Sequence, residues 1–406
     1  MLALLPGAAA AQVAAPPAAI QVLDSGLQSD FPRDLTFSLT AHGDADVVKA
    51  TLALKQVGQP TITTSQVKFT PGREVSLRYV WDLQKYYVPP GVEVEYYWLL
   101  EDAAGQKVRT PAATFPVEDK RYAWRSRSDG SLQINWYEGD DAFAAELLQA
   151  GRRALDQLAS DAGLQTDLPV KVFVYASQKD LLGALGPSAQ EWTGGQTFAE
   201  QGVVFAAVEP GSQGVDFGMR VLPHELSHVV VHKMTDNPYG ELPRWLDEGL
   251  AMYAEGSLEP SYERALAGAI KSNTLVSVQS LSANFPSDPQ VALLSYAESY
   301  SLVKYIATHY GRERLGKLLA VFKEGSTDNG ALQAALGVDN DGLEAGWRAS
   351  IGAPPAPPTA PVLAAGTRES AAPWPLPAAG AEIAAAAILV AAGALVFAAR
   401  RRRRST

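Results

Sequence analysis

The sequence has no cysteine among its 406 residues, which excludes a disulfide framework and catalysis by a thiolate. Histidine is also scarce, with five residues in the whole chain. Positive charge is in deficit, because 34 Lys and Arg face 44 Asp and Glu for a net charge of −10. This acidic balance argues against nucleic acid as a partner. The length exceeds what one core usually organises, so we expect two globular domains with appendages.

Two of the five histidines lie four residues apart, in the segment Leu-Pro-His-Glu-Leu-Ser-His at positions 222–228. On a helix, this spacing places His224 and His228 on one face, one turn apart. Neutral imidazoles are good zinc ligands, and the carboxylate of Glu225 can take a proton from a metal-bound water. The segment therefore matches the HExxH pattern of zinc metallopeptidases.

A third ligand must come from elsewhere in the chain, and two arrangements predict different residues. The metzincin pattern requires Gly and His at the seventh and tenth positions after His224, but the chain has Val231 and Met234 there. The second arrangement takes a glutamate from a second helix. The segment 243–253 follows after a turn-rich connection and contains Glu248, so it favours this second arrangement.

The HELSH segment followed by PRWLDEGLAMYAEG resembles the peptidase MA-like metallohydrolases, gluzincins related in their catalytic core to thermolysin. The resemblance extends over residues 136–352. It implies a thermolysin-like domain with a helical C-terminal lobe that hydrolyses peptide bonds in peptides or proteins. It also implies one zinc ion per chain, bound by His224, His228 and Glu248, with Glu225 as the general base.

A helix over residues 295–305 resembles the one that carries the transition-state tyrosine of gluzincin aminopeptidases, which points to Tyr296 first and Tyr300 second. Tyrosines at helical spacing are also common core residues, and that alternative stays open. His232 lies two turns beyond His224, too far along a straight helix for both to bind one ion, so we expect it to pack or support the site. Asp247 points about 100° away from Glu248, which favours a capping, salt-bridge or supporting role.

The distribution of apolar residues predicts an α+β chain. Residues 20–120 alternate in the manner of strands, with turn signals between them, and indicate an immunoglobulin-like or fibronectin-like β-sandwich. Residues 136–352 read as a few strands followed by a helical lobe. By the resemblance, the strand at 203–207 is the edge that pairs with an extended substrate.

The two ends of the chain predict a membrane topology. Residues 1–19 resemble a shortened signal segment. Residues 353–376 form a Pro- and Ala-rich linker, and 377–399 form an apolar stretch long enough for one transmembrane helix. The basic tail at 400–406 is then cytoplasmic by the positive-inside rule, which places the catalytic domain outside the cell. A variant sorting motif at 376–380 offers cell-wall attachment as an alternative.

The sequence therefore favours a membrane-anchored zinc metallopeptidase acting outside the cell. Two alternatives remain. One is a zinc hydrolase of the same fold that cleaves a non-peptide amide, because substrate pockets are not visible as motifs. The other is a non-enzymatic surface adhesin or binding module that has inherited a peptidase fold.

Overall fold

The computed structural model describes residues 20–162, 169–186, 194–286 and 288–356. They divide into two compact units. The first contains residues 20–86 and 93–117, and the second contains residues 87–92 together with the described residues from 118 onward. The α+β class is confirmed, with a sheet unit first and a largely helical part afterwards.

The first unit is a sheet of seven strands in which one long strand contacts most of the others. Strand β2 has 23 residues, and its first part pairs with β1 and β4 while its second part pairs with β3 and β5. The pairing with β4 shifts between His42 and Val47, where β2 changes partners. The strands are β1 (Ile20–Asp30), β2 (Asp34–Gln56), β3 (Thr63–Val67), β4 (Gly72–Asp82), β5 (Glu93–Asp102), β6 (Lys107–Arg109) and β7 (Ala113–Pro116).

Both parts of β2 contribute to one core. The alternation expected for strands is visible along β5, where every second side chain is buried. Phe37 of β2 meets Tyr96 of β5 edge to face, with 5.0 Å between the ring centroids. The immunoglobulin-like or fibronectin-like topology remains a prediction, whereas the shared core is a feature of the structure.

The second unit contains a sheet of five strands in the order β11-β12-β10-β9-β8. The three inner strands run parallel, and the two outer strands are antiparallel to their neighbours. The boundary predicted at residue 136 leaves out β8 and most of β9. The strands are β8 (Arg125–Asp129), β9 (Leu132–Trp136), β10 (Val170–Tyr175), β11 (Gly195–Phe198) and β12 (Val203–Ala207).

Helices make up most of the rest of this unit, which includes the helical C-terminal part expected from the sequence. One apolar core joins the sheet to α1 and α3 and continues among the later helices. A π-helical turn, Ile306–Tyr310, follows α7. The helices are α1 (Asp141–Ala162), α2 (Gln178–Ala184), α3 (Ser212–Thr235), α4 (Arg244–Ala254), α5 (Pro260–Ser272), α6 (Val278–Leu281), α7 (Pro289–Tyr305), α8 (Arg312–Lys323), α9 (Asp328–Leu336) and α10 (Asn340–Ser350).

Helices α4 and α7 approach closely because Gly249 has no side chain. A Cβ atom at this position would lie 2.5 Å from the carbonyl oxygen of Ser299 and 2.6 Å from Val303. Both distances are too short for non-bonded atoms, so a larger residue at position 249 would push the two helices apart. The glycine therefore sets the depth at which α4 sits against α7.

The predicted linker and membrane helix, residues 353–376 and 377–399, lie almost entirely outside the described residues, which end at 356. Within the described part of the chain, no helix combines the length and the apolar character needed to cross a bilayer.

A buried carboxyl group on α7 is held apart from solvent. Glu298 is fully buried, and its Oε1 accepts a hydrogen bond of 3.1 Å from the backbone N–H of Val276. Its Oε2 has no hydrogen-bond partner among the described residues. Burial raises the pKa of Glu298 to about 8, although the Val276 bond and the nearby Arg348 oppose the increase. Glu298 is therefore protonated in the folded protein at neutral pH.

We expect Glu298→Gln to remove a pH dependence of stability. The folded protein keeps this proton up to about pH 8, whereas the unfolded chain loses it near 4.5, so unfolding becomes easier as the pH rises between these values. The slope is about 1.4 kcal/mol per pH unit at most. Glutamine mimics the protonated acid and should gain stability over the wild type between pH 5 and 8 in denaturant titrations. An equal difference in stability between variant and wild type at pH 5 and at pH 8 would contradict this expectation.

Candidate metal centre

Helix α3 brings the HExxH residues into the interior of the second unit. His224 and His228 lie one turn apart as predicted, and their ring centroids are 5.1 Å apart. His224 is fully buried, and Glu225 between them is 3% exposed. The segment therefore lies in the interior of the second unit.

Glu248 reaches the histidines from α4, after the connection expected from the turn signals. Asn237 fastens this connection, because its Oδ1 accepts a 2.8 Å bond from the N–H of Tyr239 and its Nδ2 donates to the carbonyl of Phe322 at 3.1 Å. Pro243 occupies the N-cap of α4, where the first helical N–H groups have no helical partner. The helix then carries Glu248 into a fully buried position.

The structure brings the three predicted ligands to one point. Glu248 Oε2 lies 3.6 Å from His224 Nε2 and 3.8 Å from His228 Nε2. One ligand atom from each residue lies within 4.8 Å of the others. His224 Nε2 is buried and has no hydrogen-bond partner among the described residues. A metal ion is the simplest partner for this atom, because a buried polar atom left unpaired is costly.

Carboxylates hold the opposite nitrogens of both imidazoles. Glu255 Oε1 lies 2.9 Å from His224 Nδ1, and Asp247 Oδ1 lies 3.1 Å from His228 Nδ1. These bonds fix each ring with Nε2 toward Glu248, the arrangement typical of histidines that bind a metal. The predicted supporting role of Asp247 agrees with this contact.

Two arginines hold the carboxylates in turn. Arg220 reaches Glu255 at 2.9 Å and Glu259 at 2.6 Å. Arg244 lies 2.6 Å from Glu248 Oε1, which leaves Oε2 turned toward the imidazoles. The carboxyl groups of the centre still outnumber its guanidinium groups. The carboxyl groups belong to Glu225, Asp247, Glu248 and Glu255, and the guanidinium groups to Arg220 and Arg244.

These partners favour positive charge at the centre. Burial alone would lower the pKa of His224, but the hydrogen bonds and charges of Glu248 and Glu255 outweigh it and raise that pKa to about 10. At His228, burial is likewise outweighed, mainly by Asp247, and the pKa rises to about 9. Burial opposes ionisation of Asp247, yet His228 and Arg244 lower its pKa to about 2. A centre that stabilises positive charge in this way suits a divalent cation.

Glu225 lies beside the ligands, against the sheet. Its Oε2 accepts a 2.5 Å hydrogen bond from the hydroxyl of Thr197 on β11. A Cβ atom on Gly195 of the same strand would lie 2.5 Å from Glu225 Oε1, so only glycine leaves room for the carboxylate. Burial raises the pKa of Glu225, and the charges of His224 and His228 partly offset it.

Tyr296 is also close to the centre. It is 1% exposed, and its hydroxyl has no well-formed hydrogen bond among the described residues. Burial, followed by the charge of Glu248, raises the pKa of Tyr296 well above its ordinary value, while Arg244 opposes this increase. Tyr300, the second candidate, instead lines a separate cavity of about 830 Å³ that contains none of the candidate ligands.

The remaining histidines lie apart from this group. His232 is only partly buried and does not join the three ligands, in line with the prediction that it packs or supports. His309 stacks on Tyr305 at 5.0 Å between centroids, and His42 lies 3.9 Å from Glu74 in the first unit.

The strand predicted to form the substrate edge is not an edge. Strand β12, residues 203–207, lies between β10 and β11 and pairs with both. The prediction was wrong because the sequence does not reveal the short strand β11. Its four residues, Gly-Gln-Thr-Phe, carry little β-branched or apolar pattern. In the described part of the chain the sheet has two edge strands, β11 and β8, and β11 is the one beside β12.

Sequence reasoning also missed Glu255, Thr197 and the two arginines. Glu255 stands seven residues after Glu248, two helical turns later on the same face, and that spacing could have identified it. Thr197 had no such signal, because its contact with Glu225 spans 28 positions and depends on how the sheet meets α3.

A family model described as "Peptidase MA superfamily" matches residues 150–353, half of the chain, and includes all three candidate ligands. The chain belongs to the peptidase MA superfamily. The resemblance inferred from the two motif segments is thus confirmed. We refer to residues 150–353 as the peptidase MA domain.

Several solved structures are similar to the chain at low identity. An M1 zinc metallopeptidase from Deinococcus radiodurans is 14% identical, with 78% of this chain and 88% of that chain covered and a TM-score of 0.36. A carbohydrate-binding module of family 56, a beta-1,3-glucan binding domain, is 12% identical over 23% of this chain and 95% of its own, with a TM-score of 0.16. No curated protein matches in sequence. At TM-scores this low, none of these similarities decides the function of the peptidase MA domain.

We expect Glu255→Ala to weaken zinc binding about 10- to 100-fold, because His224 loses the partner that orients its ring. Competition with a chromogenic chelator measures the affinity. Glu259→Ala is the matched control, since Glu259 pairs with Arg220 but does not contact His224. Equal losses of zinc affinity in both variants would contradict the role of Glu255 in orienting the His224 ring, because Glu259 does not contact that ring.

Proposed function

We propose that the chain is a zinc-dependent peptidase, with the ion held by His224, His228 and Glu248. The convergence of one atom from each of these residues within 4.8 Å, in the interior of the protein, carries the proposal. Two imidazoles and one carboxylate suit zinc, and three protein ligands leave a fourth position for water or substrate. Membership of the peptidase MA superfamily supports the same conclusion.

The zinc ion, when bound, would lower the pKa of a coordinated water from about 15.7 to about 7 and polarise the substrate carbonyl. In this proposal Glu225 accepts the proton that the attacking water loses. As Glu225 takes this proton, the water oxygen would form the new C–O bond at the peptide carbonyl, and the C–N bond would then break. Glu225 returns its proton to the departing nitrogen, so it acts first as base and then as acid.

Tyr296 supplies a hydrogen-bond donor in this scheme. Its buried hydroxyl lies near Glu248 and Arg244 and lacks a well-formed bond of its own. A donor free to bind the oxyanion that develops on the substrate is worth far more in such a dry site than in water. We assign this role to Tyr296 rather than to Tyr300, which faces the separate cavity.

An extended peptide suits the outer edge of β11. The strand ends the sheet, and two of its residues contact Glu225. Addition of a substrate strand there would give affinity through backbone hydrogen bonds, largely independent of side-chain sequence. This proposal replaces the role first assigned to residues 203–207.

The location proposed for the enzyme depends on the sequence alone. An apolar helix at 377–399 with the basic tail at 400–406 would anchor the chain in the cell membrane and leave the peptidase MA domain outside. Cell-wall attachment through 376–380 is the alternative. All of these residues lie outside the described part of the chain.

We expect Glu225→Gln to abolish hydrolysis while one zinc ion per chain is retained. The amide cannot accept the water's proton, whereas the three ligands are untouched. Elemental analysis after dialysis gives the zinc content, and mass spectrometry of a peptide library gives the activity. Glu248→Ala is the companion variant and should lose both zinc and activity. Full activity in the Gln variant would refute the proposed role, and wild-type protein that binds no zinc would refute the function.

We expect Tyr296→Phe to lower kcat about 100-fold, the usual cost of losing one oxyanion donor. Zinc content should not change, because Tyr296 is not a ligand. Tyr300→Phe is a matched control, since it removes the same hydroxyl one turn further along α7. Equal effects of the two substitutions would assign Tyr296 to packing.

A further inference from the structure

Strand β11 presents two of its residues to the outer edge of the sheet. The N–H of Ala207 donates to the carbonyl of Gly194 at 2.9 Å, so Gly194 belongs to a hydrogen-bonded pair with β12. In an antiparallel ladder such pairs alternate with pairs whose N–H and C=O groups point away. Gly195 and Thr197 are the residues whose backbone faces away from β12. Thr197 O accepts a long bond of 3.3 Å from Gln196 Nε2.

The side chains of the same two positions face α3 and define the space for Glu225. The Thr197 hydroxyl is 2.5 Å from Glu225 Oε2 and 3.0 Å from the Glu225 backbone carbonyl. Gly195 borders the other carboxylate oxygen, as its absent Cβ shows. Thr197 is 3% exposed, so water does not compete for this contact. The same two residues, Gly195 and Thr197, therefore have backbone groups at the edge of the sheet and also contact Glu225.

We propose that Thr197 is a positioning residue that holds the Glu225 carboxylate in place and links it to the strand on which an extended peptide substrate is bound. The proposal rests on the zinc-peptidase function above and deepens it. It goes further in naming the side chain that ties substrate-binding backbone to the general base.

The physical basis is the freedom of a carboxylate to rotate. Glu225 can turn about its side-chain torsions, and among the described residues Thr197 alone donates a side-chain hydrogen bond to its carboxylate. A short bond to a carboxylate is stronger than a bond between neutral groups, so it restricts this rotation. Proton transfer is sensitive to small displacements, and misplacement by about 1 Å can cost 100-fold in rate. Loss of the bond should therefore slow the chemical step more than it weakens substrate binding.

Thr197→Val tests this inference, because valine has nearly the shape of threonine but no hydroxyl. We expect kcat on a peptide substrate from the library to fall about tenfold or more, with KM within about twofold and one zinc ion per chain. Thr197→Ser keeps the hydroxyl and should restore most of kcat. Thr235→Val is the matched control: Thr235 is buried on the same helix as Glu225, but its hydroxyl bonds the carbonyl of Val231.

Thermal unfolding of the metal-free protein provides a readout that does not depend on activity. If the bond exists, Thr197→Val should lower Tm more in the wild-type background than in a Glu225→Ala background, where the carboxylate is already absent. Thr197→Ala replaces the valine variant if valine beside a carboxylate prevents folding. The Thr235→Val shift should be the same in both backgrounds.

The inference and the proposed function fail in different ways. Normal kcat in Thr197→Val, failure of serine to restore a lost kcat, or additive Tm shifts would overturn the role of Thr197 while leaving the peptidase intact. Full activity in Glu225→Gln would overturn the proposed mechanism itself. A loss of zinc in Thr197→Val would also count against the inference, because it would show that Thr197 shapes the metal centre rather than the base.

Discussion

The candidate metal centre depends on one electrostatic constraint: the negative charges of several buried carboxylates must be compensated by neighbouring groups. A buried carboxylate without partners is too costly to remain ionised. Here Glu248 is flanked by two imidazoles and by Arg244, while Glu255 is shared between His224 and Arg220. Each group is held by another, so the ligands are oriented by their neighbours. The positive charge that these carboxylates favour is the charge that a divalent metal supplies.

Two glycines, which have no side chains, allow the close packing that this clustering requires. Gly249 lets α4, with Glu248 one residue earlier, lie directly against the backbone of α7. Gly195 does the same on the other side, where β11 approaches Glu225. The two glycines bound the centre from the helical lobe and from the sheet. A methyl group at either position would meet an atom that cannot move without moving the site.

The sheet and the helices divide the work of the proposed enzyme between them. Helices α3 and α4 carry the candidate metal ligands and contribute apolar residues to one packed core. Tyr296 of α7 lies in a neighbouring buried cluster with Met252, Tyr262 and Tyr300. Strand β11 lies at one edge of the sheet, where we propose that an extended substrate binds, and it carries the Thr197 hydroxyl that donates to Glu225. The cavity lined by Tyr300 lies apart from these groups and takes no part in the scheme.

The amino-acid sequence was enough to predict the α+β class, the helical lobe and the set of candidate ligands. It could do so because helical spacing is local: His224 and His228 are one turn apart on any helix, and apolar periodicity indicates the helix at 295–305 and the helical lobe without knowledge of their contacts. Three features depend on the tertiary structure: which strand lies at the sheet edge beside α3, how Arg220 and Arg244 share the carboxylates, and where Thr197 contacts Glu225. These contacts join residues far apart in the chain, and their existence depends on strand order and on the depth of helix packing, which no local spacing encodes.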